Sequence, residues 1–457
     1  MAKIDMTQGN IAGNIVRYSI PLVLGNLFQL TYNLADSAIA GQFIGKDALA
    51  AEGIASPVMN ILILGISGLS MGAGVLMSEF FGSRNIKKLK EELSTVISFG
   101  FLFSIVAVLL CIALTTPLLH ALSVPEEIMG MTGTYLRIIF LGVPFTYFYN
   151  TLAAALKSVG DSKTPLKFLM LSSILNAVLD IIFIGFLHFG IVCSATTTVI
   201  AEGVSAGLSY LYIRARIPEL AITREEFRPD KELLKKTLSY GATTALQQSC
   251  QPIGKLLIQG CVNTLGVDTI AAFNAVTRID DFAFTPEQSI SHGITTFVAQ
   301  NHGKASAETD LERSTESQKR ITKGFAIGLR LEFAYWLLIC ALVLLLKKYI
   351  MLLFVSGDNA AAIIEIGSQY LKTMAFFYLF PAFTNGIQGF FRGYGKMKVT
   401  LLATFIQTSI RVLVTYILAP RIGIYGISFA CAIGWSCMLL YEVPYYLYLR
   451  KRNGNAI

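Results

Sequence analysis

Twelve long apolar runs constrain the fold more than any other feature of this sequence. Most are near or above the roughly 20 residues that a helix needs to cross a bilayer. The 457-residue chain is 54% hydrophobic and only 14% charged, whereas soluble domains carry about 25% charged residues. The runs are too long for barrel strands and do not alternate. We therefore predict an all-α polytopic membrane protein with transmembrane helices at about 15–44, 50–80, 93–120, 130–156, 164–187, 190–216, 237–263, 267–300, 321–347, 360–391, 397–420 and 423–449.

The distribution of Lys and Arg predicts the orientation of these helices. Loops that follow even-numbered helices are basic, as in 84–90 and 214–236, whereas those after odd-numbered helices contain few basic residues. Basic loops stay in the cytoplasm, so both termini are expected there, with the chain in the plasma (inner) membrane. The net charge of +8 is thus a topology signal, and it does not support nucleic-acid binding.

The sequence offers little support for a cofactor or an ATP site. Its seven cysteines form no CxxC pair, so neither a disulfide framework nor a zinc site is indicated. The glycine-rich stretch "GISGLSMGAG" (65–74) has no Lys-Ser/Thr and predicts close helix packing instead of a phosphate loop. The sequence therefore indicates no site at which ATP hydrolysis could supply energy.

The two halves of the chain resemble each other. "GKDALAAEGIASPV" (45–58) aligns with "GVDTIAAFNAVTRI" (266–279), and "FGIVCSATT" (189–197) aligns with "IGIYGISFA" (422–430). Six helices in each half give parallel repeats related by a pseudo-twofold axis, with the substrate path expected between the halves. We therefore predict an N-terminal six-helix lobe at 1–216, a cytoplasmic linker at 217–236 and a C-terminal six-helix lobe at 237–457.

Several motifs resemble those of one transporter family. They are Gln29, Asn33 and Asp36 followed by Gly41, Gly45, Ala48 and Ala51; Tyr149 and Asn150; "LKSVGDSKTP" (156–165); Asn176 and Asp180; "GIVCSATTT"; "FVAQNHG"; and "FFRGYG". In this set and order they resemble the multidrug and toxic compound extrusion (MATE) family over nearly the whole chain. The resemblance implies twelve helices in two lobes around a central cavity. It also implies export of cationic and amphipathic drugs in exchange for inward H⁺ or Na⁺.

Polar residues in the first lobe predict a site for the coupling cation. Asn176 and Asp180 are four residues apart and share a helix face. If the first, fifth and sixth helices converge, Asp36, Asn176, Asp180 and Thr198 form an oxygen-rich pocket. Neighbouring carboxylates there could retain a proton near neutral pH, or Na⁺ could compensate their charges. The resemblance implies these four residues as the cation site and adds Asn150. Alternatively, Asp36 is a snorkelling or capping residue near the outer interface.

The second half does not repeat this pocket. The repeat places Leu257 opposite Asp36, Arg411 opposite Asn176 and Thr415 opposite Asp180. One branch of the family, NorM-like, uses acidic residues in the seventh and tenth helices, but segments 237–263 and 370–391 contain no Asp or Glu. The resemblance is therefore closer to the DinF-like branch, with coupling through the first lobe.

Charged and aromatic residues suggest where a drug could bind. The eighth helix, "RIDDFAFTPEQSISHG" (278–293), carries acids and a histidine inside a membrane span, where ionisable residues are usually functional. Arg278 could pair with Asp280 or Asp281 for structural reasons. Aromatic faces attract desolvated cations, although helix packing or interfacial belts also explain such residues. The predicted substrate-cavity set is Glu287, His292, Gln251, Asn385, Tyr149, Phe377 and Tyr378.

Together these features predict a secondary active multidrug efflux antiporter that works by alternating access and is not an enzyme. We expect small organic cations or amphipathic drugs as substrates, H⁺ or Na⁺ as the coupling ion, a lipid bilayer as the environment and a functional monomer. A lipid-linked oligosaccharide flippase is the first alternative, but it should line its cavity with more cations than Lys255 and Arg411. An intramembrane prenyl or acyl transferase is the second, supported only by the adjacent Asp280 and Asp281.

Overall fold

The computed structural model describes residues 3–43, 46–187, 189–355 and 360–452. Within these ranges the chain forms thirteen α-helices and no β-strand. They are α1 (Ile11–Phe43), α2 (Lys46–Gly82), α3 (Ile86–Ala121), α4 (Glu126–Ser158), α5 (Lys163–Asp180), α6 (Ile191–Arg216), α7 (Lys231–Val262), α8 (Val267–Ala307), α9 (Leu311–Leu352), α10 (Ala360–Phe377), α11 (Leu379–Gly393), α12 (Met397–Ile422) and α13 (Ile424–Arg452). The prediction of an all-α chain is confirmed.

Each predicted span lies on a helix, but the tenth is divided. The run predicted at 360–391 forms α10 and α11, which are separated at Tyr378. Pro381 lies in the first turn of α11, where its missing N–H would otherwise bond to a carbonyl of α10. A proline is tolerated in a first helical turn, because the backbone N–H groups there have no partner inside the helix. The chain therefore starts a new helix at this point.

Nine helical stretches of the described residues are long and apolar enough to cross a membrane. The other three predicted spans, α7, α8 and α10–α11, fall short because they are polar or interrupted. Their polar side chains include Gln247 and Glu287, which are buried. Polar residues of a membrane-spanning helix usually face the interior of the bundle, which explains why the hydropathy of these helices is low.

Contacts divide the chain into two compact units. Unit 1 comprises Met1–Ile4 and Leu24–Ala245, and unit 2 comprises Asp5–Val23 and Leu246–Ile457. The divisions fall inside α1 and inside α7, so both helices contribute to both units. The lobe and linker boundaries predicted from the sequence differ from these contact boundaries and remain a prediction.

Unit 1 is packed around the large side chains of α2, α3 and α4, including Phe81, Phe140 and Tyr147. The glycine-rich stretch of α2 lies against α7: a Cβ added to Gly68 would be 2.7 Å from the backbone nitrogen of Ala245, and one added to Gly72 would be 2.8 Å from the nitrogen of Gly241. Small residues let two helices approach closely. The predicted packing role of this stretch is confirmed.

The segment between α6 and α7 is held against unit 1 by charged contacts. Lys90 Nζ donates to Glu226 Oε1 at 2.7 Å, and the Thr223 backbone N–H donates to the same carboxylate at 3.0 Å. These two hydrogen bonds lower the pKa of Glu226 to about 2. Lys3 also pairs with Glu219. The basic loop therefore lies along the unit and is tied to α3 and to the N-terminal residues.

Unit 2 has its own core, built from α8, α9, α10 and α13 around residues such as Phe273, Tyr370 and Trp435. The helices α8 and α11 meet at Gly389, where an added Cβ would be 2.6 Å from the Ser291 carbonyl oxygen. This close approach brings the polar face of α8 against α11. Unit 2 therefore contains both an apolar core and a buried polar region.

Candidate functional site

The last turn of α5 carries two buried polar residues of unit 1. Asn176 is 1% exposed and Asp180 is 2% exposed. Their four-residue spacing places both side chains on one face of the helix. Immediately after Asp180 the chain widens into a π-helical turn at Ile181–Phe186, a feature found frequently at functional sites.

Asn176 connects three helices. Its Nδ2 donates to Thr198 Oγ1 of α6 at 3.4 Å, and its Oδ1 accepts a hydrogen bond from the hydroxyl of Tyr32 of α1. The first, fifth and sixth helices therefore converge at this amide. The sequence did not single out Tyr32, although it lies in the same polar stretch of α1 as Asp36.

Asp180 forms a hydrogen bond with Thr197, whereas the residue proposed from the sequence was the next one, Thr198. Thr197 Oγ1 lies 2.5 Å from Asp180 Oδ1, whereas Thr198 contacts Asn176. The same Thr197 oxygen lies 2.8 Å from the Ser194 carbonyl and 3.0 Å from the Cys193 carbonyl. A hydroxyl has one hydrogen and two lone pairs, so Thr197 can donate to the carboxylate or to its own helix. We call Tyr32, Asn176, Asp180, Thr197 and Thr198 the amide–acid cluster.

The other two predicted members of the cation site are Asp36 and Asn150. The side chain of Asp36 lies outside the described residues. Asn150 donates from Nδ2 to the Thr146 carbonyl of its own helix at 2.8 Å. The Thr146 hydroxyl in turn donates to Glu202 of α6 at 2.7 Å. Asn150 therefore belongs to the α4–α6 contact, and none of its described hydrogen bonds reaches Asn176 or Asp180.

The predicted substrate residues make separate contacts. Tyr149 belongs to unit 1, where its hydroxyl donates to the Pro165 carbonyl at 3.1 Å. The others lie in unit 2. Gln251 donates to Gln407 at 2.9 Å, and Phe377 packs against other aromatic rings. His292 is half-buried and also interacts with another group of the protein.

The adjacent acids Asp280 and Asp281, in the middle of the predicted eighth span, have partners that the sequence did not reveal. Asp280 accepts hydrogen bonds from Tyr370 at 3.0 Å and Tyr378 at 2.6 Å. Asp281 pairs with Lys255 of α7 at 2.7 Å. The suggested Arg278 pairing is absent from the ion pairs of the described residues, because Asp280 and Asp281 each face a different helix. Tyr378, proposed as a drug contact, instead supports a buried aspartate.

Glu287 has a neighbour that the sequence reading missed. It is fully buried and faces the side chain of Asn385 of α11, so these two predicted residues do come together. Glu332 of α9 is also fully buried and lies close enough for its charge to interact with that of Glu287. The sequence signal for Glu332 is that it is the single acid inside the ninth apolar run, just as Asp36 is an acid inside the first run.

Comparison with known proteins identifies the family. The MatE family model matches residues 21–182 and 244–417, which is more than half of the chain and one stretch in each half. The chain belongs to the MatE family. It is therefore a multi-pass membrane transporter and not an enzyme. The resemblance seen in the motifs is confirmed, while the closer likeness to the DinF-like branch remains a prediction.

Relatives of this MatE protein match it over nearly its full length. It is 28% identical to the probable multidrug resistance protein YpnP of Bacillus subtilis, over 100% of this chain and 99% of that protein. It is 23% identical to the multidrug export protein MepA of Staphylococcus saprophyticus, over 97% of this chain and 95% of that protein.

Solved structures show the fold of this MatE protein. A multidrug resistance MATE transporter of the MOP superfamily, described in an outward-facing conformation, superposes with a TM-score of 0.89 at 22% identity and covers 100% of this chain. A MOP superfamily transporter from Pyrococcus furiosus gives a TM-score of 0.86 at 23% identity and covers 99% of this chain. The predicted twelve-helix, two-lobe fold is thereby confirmed.

Proposed function

We propose that this MatE protein exports cationic and amphipathic organic compounds in exchange for inward movement of H⁺ or Na⁺. The amide–acid cluster carries the proposal: the carboxylate of Asp180 is almost completely buried and contacts Thr197 of α6, and one turn earlier Asn176 contacts both α1 and α6. The multidrug resistance and export names of full-length relatives support the substrate class.

The cluster provides a physical reason for coupling. An ionised carboxylate removed from water costs several kcal/mol unless a partner compensates it. A proton on Asp180 removes its charge, and Na⁺ would balance the charge through carboxylate, amide and hydroxyl oxygens. The enclosed arrangement is therefore favoured when the cation is bound, whereas release requires access to water. A ligand that binds one arrangement more tightly shifts the population toward it, and this difference links the cation to alternating access.

Asp36 and Asn150 complete the proposed cation site. Asp36 follows Tyr32 by one helical turn of α1. This part of α1 therefore carries a carboxylate in addition to that of Asp180 on α5. Asn150 lies on α4, where Thr146 and Glu202 join α4 to α6. We propose that these residues transmit cation binding to the neighbouring helix.

The flippase alternative is disfavoured by the partners of its two candidate cations. Lys255 pairs with Asp281, and the buried guanidinium of Arg411 interacts with the charge of Asp280. Binding a pyrophosphate would require breaking these contacts. We therefore retain the efflux function.

Reconstituted vesicles with separately imposed pH and Na⁺ gradients test the function. We expect export of a fluorescent organic cation to follow one of the two gradients. Asp180→Asn should slow gradient-driven export by at least roughly tenfold, since a hydrogen bond to a charged group contributes about 1.5–3 kcal/mol. Asp310→Asn is the matched control, because Asp310 is an exposed N-cap of α9 and Asn caps helices equally well. Wild-type export by Asp180→Asn would overturn the proposal.

A further inference from the structure

Two acids in unit 2 are completely buried. Glu287 of α8 and Glu332 of α9 are each 0% exposed; the side chain of Asn385 is the polar group that faces Glu287, and Glu332 has no hydrogen-bond partner among the described residues. Glu332 lies beside α11 at Gly386, where an added Cβ would be 3.7 Å from Glu332 Cγ, and Glu287 faces the preceding residue, Asn385. The two enclosed carboxyl groups are therefore within range of each other's charge.

A structural role does not account for this arrangement. Buried acids that stabilise a fold are normally paired or hydrogen-bonded, as Asp280 is with two tyrosines in the same unit. Two ionised carboxylates within range of each other's charge would also repel each other strongly in a low-dielectric interior. The enclosed pair is therefore stable only if it holds at least one proton.

Other polar groups near the pair are already engaged. Tyr335 and Tyr378 lie within electrostatic range of Glu287, but their hydroxyls donate to the Ala283 carbonyl and to Asp280. On α11, Arg392 Nη2 donates to Ser291 Oγ at 2.7 Å and interacts with the charge of Glu442 of α13. None of the ion pairs of the described residues includes Glu287 or Glu332.

Buried polar contacts join the helices around the pair. Asn385 faces Glu287 with its side chain, and its backbone carbonyl accepts a hydrogen bond from the Ser291 hydroxyl. Ser291 Oγ also accepts a hydrogen bond from Arg392, whose charge interacts with that of the fully buried Glu442. An arginine cannot be deprotonated in a protein, so these contacts hold α8, α11 and α13 together and do not relay a proton.

We propose that Glu287 and Glu332 form a second proton-binding site of this transporter, which binds a proton in the enclosed state and releases it when the helices open. The inference rests on the proposed function in assigning the site to the transport cycle. A proton needs one carboxylate lone pair, so the site requires no further oxygen ligands. Binding converts one carboxylate to a carboxylic acid, and release reverses that step.

Thermal unfolding of the purified protein as a function of pH tests proton binding without transport. An unfolded glutamate has a pKa of about 4.3, so above that pH the unfolded chain releases protons that the enclosed pair retains. Stability should therefore fall as pH rises, and the double variant Glu287→Gln and Glu332→Gln should lose part of that slope. Glu365→Gln, an exposed acid on α10, should keep it. An unchanged slope in the double variant would overturn the site.

Single variants keep the test decisive if the double variant does not fold. Glu287→Gln and Glu332→Gln should each flatten the slope and each change the pH dependence of efflux. Where the double variant folds, its effect on efflux should not exceed that of the larger single effect, because one shared site couples the residues. Wild-type pH dependence of both stability and efflux in both single variants would contradict the proposal. Intact coupling in Asp180→Asn, by contrast, would overturn the proposed function and leave proton binding by the pair standing.

Discussion

The hydroxyl of Thr197 can satisfy both charge states of Asp180. When Asp180 is ionised, Thr197 donates its hydrogen to the carboxylate 2.5 Å away. When Asp180 is protonated, the acid donates to Thr197 Oγ1, and the threonine hydrogen turns to the Ser194 carbonyl at 2.8 Å. Hydrogen bonds are complete in each case, so neither state leaves a buried polar group without a partner. This property suits a residue that must exchange its cation.

Replacing this hydroxyl by a methyl group should therefore change the pH dependence of transport. We expect Thr197→Val to remove a hydrogen bond that stabilises ionised Asp180, so that proton release requires a higher pH. The pH profile of efflux should shift to alkaline values by about one pH unit, because a hydrogen bond to a charged group contributes about 1.5–3 kcal/mol and one to a neutral group about 0.5–1.5 kcal/mol. Thr196→Val is the control, because Thr196 is exposed and bonds only to its own helix. Identical profiles for the two variants would refute the role of Thr197.

Individual residues show where sequence reasoning succeeds and where it stops. The four-residue spacing of Asn176 and Asp180 was sufficient to place them on one face, since helix geometry fixes that relation. The choice between Thr197 and Thr198 depends on the rotation of α6 about its axis, which the packing of other helices sets. Glu332 could have been identified as a candidate site residue from the sequence, because an acid in an apolar run is unusual wherever it occurs.

At the scale of the helix, aromatic rings rest on glycines in both units. A Cβ added to Gly100 of α3 would overlap the ring of Tyr147 of α4, and one added to Gly324 of α9 would overlap the ring of Phe297 of α8. Both rings are fully buried and belong to neighbouring helices. The glycines thus leave space that the rings fill, and they determine how closely each helix pair approaches.

Filling one of these spaces should destabilise the protein. We expect Gly324→Ala to lower the free energy of unfolding by about 1–3 kcal/mol, the usual cost of overpacking a core. Thermal or denaturant unfolding in detergent measures the change. Gly207→Ala is the matched control, because Gly207 also lies within a helix, α6, and an added Cβ there has nothing within 4 Å. Alanine also has a higher helix propensity than glycine. Equal loss of stability in both variants would show that the contact with Phe297 is unimportant.

The helices themselves could be predicted because long apolar runs report burial in lipid or protein. All twelve predicted spans are helical over nearly all of their described residues, including α7 and α8, whose polar side chains reduce their hydropathy. The interruption at Tyr378 was not predicted, because apolar character continues from α10 into α11. Hydropathy describes the surroundings of a segment and gives little information about the continuity of its backbone.

At the scale of the whole molecule, the two halves share a scaffold but have different polar interiors. The family model matches a stretch in each half, in agreement with the repeat found in the sequence. Unit 1 contains an amide, an aspartate and hydroxyls, whereas unit 2 contains a carboxylate pair and an aspartate held by two tyrosines. Repeat alignment could indicate that the second half had lost the first pocket. It could not indicate which residues form the polar interior of the second half, since these residues lie on helices that do not correspond to α1, α5 and α6.

The most direct test of the central claim is ion movement driven by the drug. Vesicles containing the transporter are loaded with a transported cation, and internal pH or Na⁺ is followed as the drug leaves without an imposed ion gradient. In the wild type, drug leaving should drive the coupling ion in the opposite direction. In Asp180→Asn, the drug should move down its gradient without that counterflow, because the amide–acid cluster no longer exchanges a cation. Ion counterflow per drug molecule equal to wild type in Asp180→Asn would contradict the account.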